Sequence, residues 1–223
     1  MKKLATKLAP SAITQRHNKQ VMTKVADQLG FVYFGNVSRS GGSHPLVRGL
    51  TLSSHHHDKH YTVGSVKGYD ISIIQRTDTL GHPGKGKSQH NWLIVQVDLH
   101  TPIDVPHTFI GLHSHSEIFY AQLFSKFGRL QKLPYTTEAG YPGEFLARYA
   151  VYGQFAKLNR IQHLIDTEVC ATMAAHFGTL TVELERDNIY VYSEHSRITT
   201  DLIHTMIQNG VWLASVIDQR AQD

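Results

Sequence analysis

Residues 69–77, YDISIIQRT, and residues 90–99, HNWLIVQVDL, decide how the rest of the chain is read. In the second stretch Leu93, Val95, Val97 and Leu99 alternate with Trp92, Ile94, Gln96 and Asp98. Successive side chains of a strand point to opposite faces, so strict alternation predicts a strand with the first set toward a core. A third run, His107 to Leu112, has the same character and leads into His113-Ser-His-Ser-Glu117. From Ser114 the period changes. Phe119, Leu123 and Phe127 recur every fourth residue, which predicts a helix burying an aromatic face.

On the N-terminal side, Tyr61 to Val66 pairs naturally with Tyr69 to Thr77 across a tight turn at Lys67-Gly68. Ser53 to His60 and Thr79 to Gln89 are polar and aperiodic and read as loops, as does Ser38 to Ser43. Phe31 to Phe34 and Leu46 to Leu52 read as short strands. Thr14 to Leu29 is an amphipathic helix, stopped by Gly30. On the C-terminal side, Leu133 to Gly143 carries two prolines and two glycines. It reads as a linker between an N-terminal half, 1–133, and a C-terminal half, 143–223, folding separately or as one compact domain. Phe145 to Tyr152 follows as a strand, then helices over Leu158 to Ile165 and Thr167 to Phe177. A hairpin turns at Arg186-Asp-Asn188, and a last helix runs from Thr199 or Thr200 to about Gln219. Gly210 inside that helix implies close packing there. Hairpins with helices between and after them predict an α+β fold with a largely antiparallel sheet.

Composition narrows the function classes. The 223 residues are 41% apolar and 18% charged, enough to fold around a sizeable core. The formal charge of +4 is spread along the chain, with only Lys2, Lys3 and Lys7 clustered, so nucleic-acid binding is not expected. Cys170 is the only cysteine, which excludes an intrachain disulfide. No apolar run reaches the roughly 18 residues of a membrane span, and MKKLATKLAPSA lacks the apolar centre of a signal peptide. The expectation is a cytoplasmic protein. Sixteen histidines make its charge sensitive to mild acid.

Gly81-His-Pro-Gly-Lys-Gly-Lys-Ser88 matches a phosphate-binding loop letter for letter, with Lys87 and Ser88 in the working positions. That loop requires a helix directly after Ser88, whereas the alternation from His90 predicts a strand. His113 and His115 form H-x-H, which on a strand presents two imidazoles to one divalent transition metal, with His107 sharing their parity. Ser114 and Glu117 compete for the same residues as a capping box, which would place His115 in a helical turn. His55, His56, His57, Asp58 and His60 are a dense surface group suited to adventitious metal. Cys170 falls mid-helix and reads as a buried, inert thiol. Tyr149, Tyr152, Tyr190 and Tyr192 lack interleaved cations and read as packing.

Taken together, FVYFGNV, LVRGLTLS, YTVGSVKGYDISIIQRTDT, NWLIVQVDLHTPIDVPHTFIGL, FLARYAVYG and DNIYVYSE resemble an uncharacterised family of small cytosolic bacterial proteins, over most of 31–217. The resemblance carries no catalytic motif and transfers no site residue. What it implies is a non-enzymatic protein, and the leading expectation is a binding or interaction module with a protein partner and no cofactor. Two alternatives stand beside it: a metal-dependent hydrolase using His113, His115 and His107, and a nucleotide-binding protein using the 81–88 loop.

Overall fold

The computed structural model describes residues 12–36, 56–82, 86–101, 104–124 and 130–221. It is an α+β structure in which, among these described residues, a nine-stranded antiparallel sheet is flanked by helices. Helix α1 spans Ala12–Leu29 and strand β1 Val32–Gly35. Three long strands follow, β2 His56–Val66, β3 Tyr69–His82 and β4 Gly86–Asp98. Strand β5, Val105–Leu112, leads into α2, Glu117–Leu123. Next come β6 Gln131–Lys132, α3 Gly143–Arg148 and β7 Tyr149–Gly153. A 3₁₀ turn, Phe155–Lys157, opens into α4 Leu158–Leu164 and α5 Thr167–His176. The chain closes with the hairpin β8 Thr181–Arg186 and β9 Asn188–Glu194 and with α6, Thr200–Ala221.

The spatial order is β1-β2-β3-β4-β9-β8-β5-β7-β6. The C-terminal hairpin therefore sits between β4 and β5, and strands from both sides of 133–143 share one sheet. One face is aliphatic. Leu93, Val95 and Val97 are wholly buried there with Val182, Leu184 and Val191, under Met22 of α1, Phe145 of α3, Ile161 of α4, Met173 of α5 and Leu213 of α6. Helix α6 lies close on β4 and β9 because of Gly210. A β-carbon there would stand 2.9 Å from Val97 Cγ2. Asn18 of α1 fixes the other end of this layer, donating to Gln75 Oε1 at 3.1 Å and to the Ser196 carbonyl at 2.8 Å.

Several expectations are corrected. His56 to His60 is not loop but the start of β2, paired from His56↔Asp78 to Lys59↔Gln75 before a bulge at which His60 takes φ 59°. His56 and His60 are polar yet buried and Asp58 is paired with Arg76, so no alternation of hydropathy betrays the strand. The polar stretch after Thr79 likewise continues β3 and begins β4, with register held to His82↔Gly86. Phe145 to Arg148 is helical and only Tyr149 onward is strand. The Phe145 and Tyr149 rings lie tilted with centroids 5.2 Å apart, and that apolar, aromatic run hides the change of period. Helix α2 is capped by Ser116, whose Oγ accepts from Phe119 N at 3.2 Å, rather than by Ser114. Residues 38–43 and 46–52 lie outside the described residues.

Candidate binding face

The second face of the sheet is built from the other half of the same alternation. Register places side chains in rows across the strands. One row reads His56–Asp78–His90, and the next Asp58–Arg76–Trp92–Glu194. A third reads Ile74–Ile94–Tyr192–Thr181, and a fourth Ser72–Gln96–Tyr190–Glu183–Phe109–Tyr152. Helix α2 packs Phe119, Tyr120, Leu123 and Phe124 over this layer. Gly111 makes room for it, since a β-carbon there would lie 2.5 Å from Tyr120 Oη, whose hydroxyl donates to the Leu112 carbonyl at 2.6 Å.

Three polar groupings are embedded in these aromatics. Arg76, with no exposed surface, donates Nε and Nη2 to the two oxygens of Asp58 at 2.7 and 2.8 Å. A buried guanidinium is tolerated only when paired in this two-pronged way. Glu183, also wholly buried, meets His107 Nε2 at 2.7 Å and accepts the Tyr192 hydroxyl on its other oxygen. Burial first, and the neighbouring carboxylate second, hold the Tyr192 hydroxyl protonated far above its ordinary range. His90 joins a third chain, with Nδ1 2.6 Å from Glu194 Oε1 and Nε2 2.8 Å from Ser88 Oγ. His115 approaches the second Glu194 oxygen at 3.7 Å and stacks on Phe119 at 4.3 Å. Burial lowers the His115 pKa, and Glu194 opposes that shift. Beside them the Trp92 indole N–H is buried with no hydrogen-bond partner among the described residues.

The three histidines expected to share a metal lie in different surroundings. His107 is on β5 against Glu183. His113 is exposed, with Nε2 3.1 Å from the Leu146 carbonyl, and His115 sits in the turn before α2. Among the described residues no three His, Cys, Asp or Glu side chains are grouped to hold a metal ion. Lys87 and Ser88 belong to β4, so a strand rather than a helix follows the 81–88 pattern, and residues 83–85 lie outside the described residues. Of the dense histidine group, His56 is 3.7 Å from Asp58 and His60 is buried against Tyr33, with 2.8 Å from Nδ1 to the Tyr33 hydroxyl. Cys170 is fully buried, and burial pushes its thiol up.

At the β1 end, the layer comes to the surface. Among the described residues β1 pairs only with β2. Val32 and Phe34 are 54% and 57% exposed, and Phe34 stacks on Tyr61 at 5.8 Å.

Sequence reasoning passed over Arg76, Glu183 and Glu194, placed Asp58 in a surface metal group and read Tyr192 as packing alone. The available signal was a charged residue at a strand position flanked by apolar ones, as at Arg76 after ISIIQ and Glu183 within TVELE. Their partners are fixed only by register.

The chain matches no protein-family model and no curated protein sequence. Among solved structures it is similar to the crystal structure of the mycobacterial trehalose monomycolate transport factor A, TtfA. The likeness has a TM-score of 0.59 at 12% identity and covers 92% of this chain and 94% of that one. At that identity it shows a shared fold. No helix among the described residues is long and apolar enough to cross a membrane.

Proposed function

We propose that the chain is a binding module, and that an extended segment of a partner protein adds to β1 as a further strand. The observation that carries this reading is the exposure of Val32 and Phe34 on β1, which is the outermost strand among the described residues. A sheet edge offers backbone donors and acceptors to an added strand, and alternate side chains supply the specificity. Natural edges are commonly guarded by charge, proline, shortness or a bulge; Val32 to Gly35 has no charge or proline, and its guards are its four-residue length and the irregularity between Tyr33 and Gly35. The fold shared with a transport factor supports a role in carrying or docking a partner over one in transforming a substrate.

The test is a photo-crosslinking residue placed at Phe34 and, as a control, at Phe155, which is 58% exposed on another surface. A discrete adduct at position 34, lost in a Val32→Lys variant and absent at 155, is expected. Identical patterns at the two positions would refute strand addition.

A second reading rests on one observation, the Ser88–His90–Glu194 chain. Carboxylate, imidazole and hydroxyl stand there in the order that activates a serine as nucleophile. In that reading the protein is a serine-type esterase, and a fluorophosphonate probe labels wild type but not Ser88→Ala. Equal labelling of both, or none, excludes it.

A further inference from the structure

The two sides of β1 differ in chemistry. Val32 and Phe34 are exposed on the face where Phe34 stacks on Tyr61 and Tyr61 packs against the aromatic layer. Tyr33 points the other way, toward the helical layer. Its ring stacks on His60 at 6.2 Å and its hydroxyl stands 2.8 Å from His60 Nδ1. Lysines stand on that second side. Lys59 pairs opposite Gln75, whose Oε1 accepts from Asn18 of α1 at 3.1 Å, so Lys59 shares the helical face. Given strand addition at β1, on which this rests, we infer that the added segment is acidic, with apolar side chains against Val32 and Phe34 alternating with carboxylates that meet Lys19 and Lys59.

Three features support the acidic character. First, α1 turns Lys19 toward this edge. His17 Nε2 lies 3.1 Å from the Ile198 carbonyl, just before α6, which marks the inner flank of α1. At 3.6 residues per turn Lys19 projects about 200° away from His17, onto the outer flank. There its charge reaches His60, as that of Lys59 does. Second, the local charge is one-sided. Helix α1 and strands β1 and β2 hold Arg16, Lys19, Lys24 and Lys59 against Asp27 and Asp58, and Asp58 is taken by Arg76 on the opposite face. None of those four bases makes an ion pair among the described residues. Third, the same charges disfavour a second copy as the occupant. Two β1 strands paired about a two-fold axis bring both sets of Lys19 and Lys59 to one seam, where like charges oppose association. Carboxylates on an added strand reverse that sign. Alternate side chains of a strand point to opposite faces, so one segment satisfies both sides of β1.

Fluorescence anisotropy with short labelled peptides tests the charge apart from the strand. The peptides alternate valine with glutamate, with threonine or with lysine. Saturable binding of the valine–glutamate peptide is expected, with the valine–threonine peptide roughly 5-fold weaker, the scale of two surface ion pairs. High salt should close that gap. Lys19→Glu/Lys59→Gln should reverse the preference in favour of the valine–lysine peptide. Should the double variant fold poorly, Lys19→Glu alone serves, since Lys19 is exposed, and it should erase the gap. Equal affinity for the glutamate and threonine peptides, lost in Val32→Lys, would overturn the acidic assignment and leave strand addition standing. Failure of the glutamate peptide to bind overturns the acidic assignment as well, and strand addition falls with it when the photo-adduct at Phe34 also fails. An adduct from position 34 to a second copy, or within the same chain, would likewise overturn the acidic partner.

Discussion

The two faces of the sheet are buried to the same depth by different means. Leu93, Val95 and Val97 have no exposed surface, and neither do Arg76 on β3 and Glu183 on β8. On the helical face, stability follows the volume of apolar side chains removed from water. On the aromatic face it follows pairing, because a buried charge is tolerated only while its partner stays. Where a fold invests in buried pairs that aliphatic residues could replace, the polar groups invite a functional explanation, and the row that holds Glu194 leads directly to the Ser88–His90–Glu194 chain.

The sharpest way to break this comparison is Arg76→Met. It strands the Asp58 carboxylate and should cost about 4 kcal/mol in urea unfolding, whereas Arg76→Met with Asp58→Leu should recover most of that loss. A single variant as stable as wild type would mean the pair contributes nothing. Leu93→Ala on the helical face should cost about 3 kcal/mol, and no partner substitution should rescue it. Gly111→Ala tests how α2 is seated. The new methyl collides with the Tyr120 ring, an overpacking loss of about 2 kcal/mol that Tyr120→Leu should partly relieve. An unchanged near-ultraviolet circular dichroism spectrum in Gly111→Ala would show that α2 does not depend on this fit.

An effect no larger than that at Gly111 is expected at His60, whose pKa is lowered to about 4, first by burial and then by Lys59 and Lys19. Above pH 6.5 the folded and unfolded chains both keep it neutral and it makes no difference. As pH falls from 6.5 toward 4, the unfolded chain takes a proton that the folded one refuses, so stability declines through that window. Allowing for solvent screening, the loss is about 2 kcal/mol. His60→Asn tolerates the left-handed backbone and does not titrate, so its unfolding free energy should fall less between pH 7 and 4.5 than that of wild type. Equal slopes would place the acid sensitivity in other histidines.

Much of the fold was legible because the strands of one face are predominantly aliphatic. The alternation over 93–99, the turn at Lys67-Gly68, the hairpin at 186–188 and the close approach at Gly210 all follow from local pattern and are all present. The illegible parts share a cause. A polar residue in a strand reads as surface unless its partner is known, and Glu183 finds His107 from 76 positions away and Glu194 finds His90 from 104. The choice of Ser116 over Ser114 as cap was equally non-local. The His113 amide bonds to the Arg148 carbonyl on β7's doorstep and the His115 amide to Leu112, so 113–115 is already committed to a turn.

The insertion of β8 and β9 between β4 and β5 carries a consequence for synthesis. On the ribosome, β4 and β5 emerge long before residues 181–194, and each must wait with one edge unfilled. Pairings of such high sequence separation form slowly, and open strand edges are where nascent chains misassociate. The sheet becomes continuous only when the last hairpin slides into the gap and α6 closes over it. Chaperone dependence, or aggregation of chains stalled before residue 181, should therefore be a property of this topology whatever the protein binds.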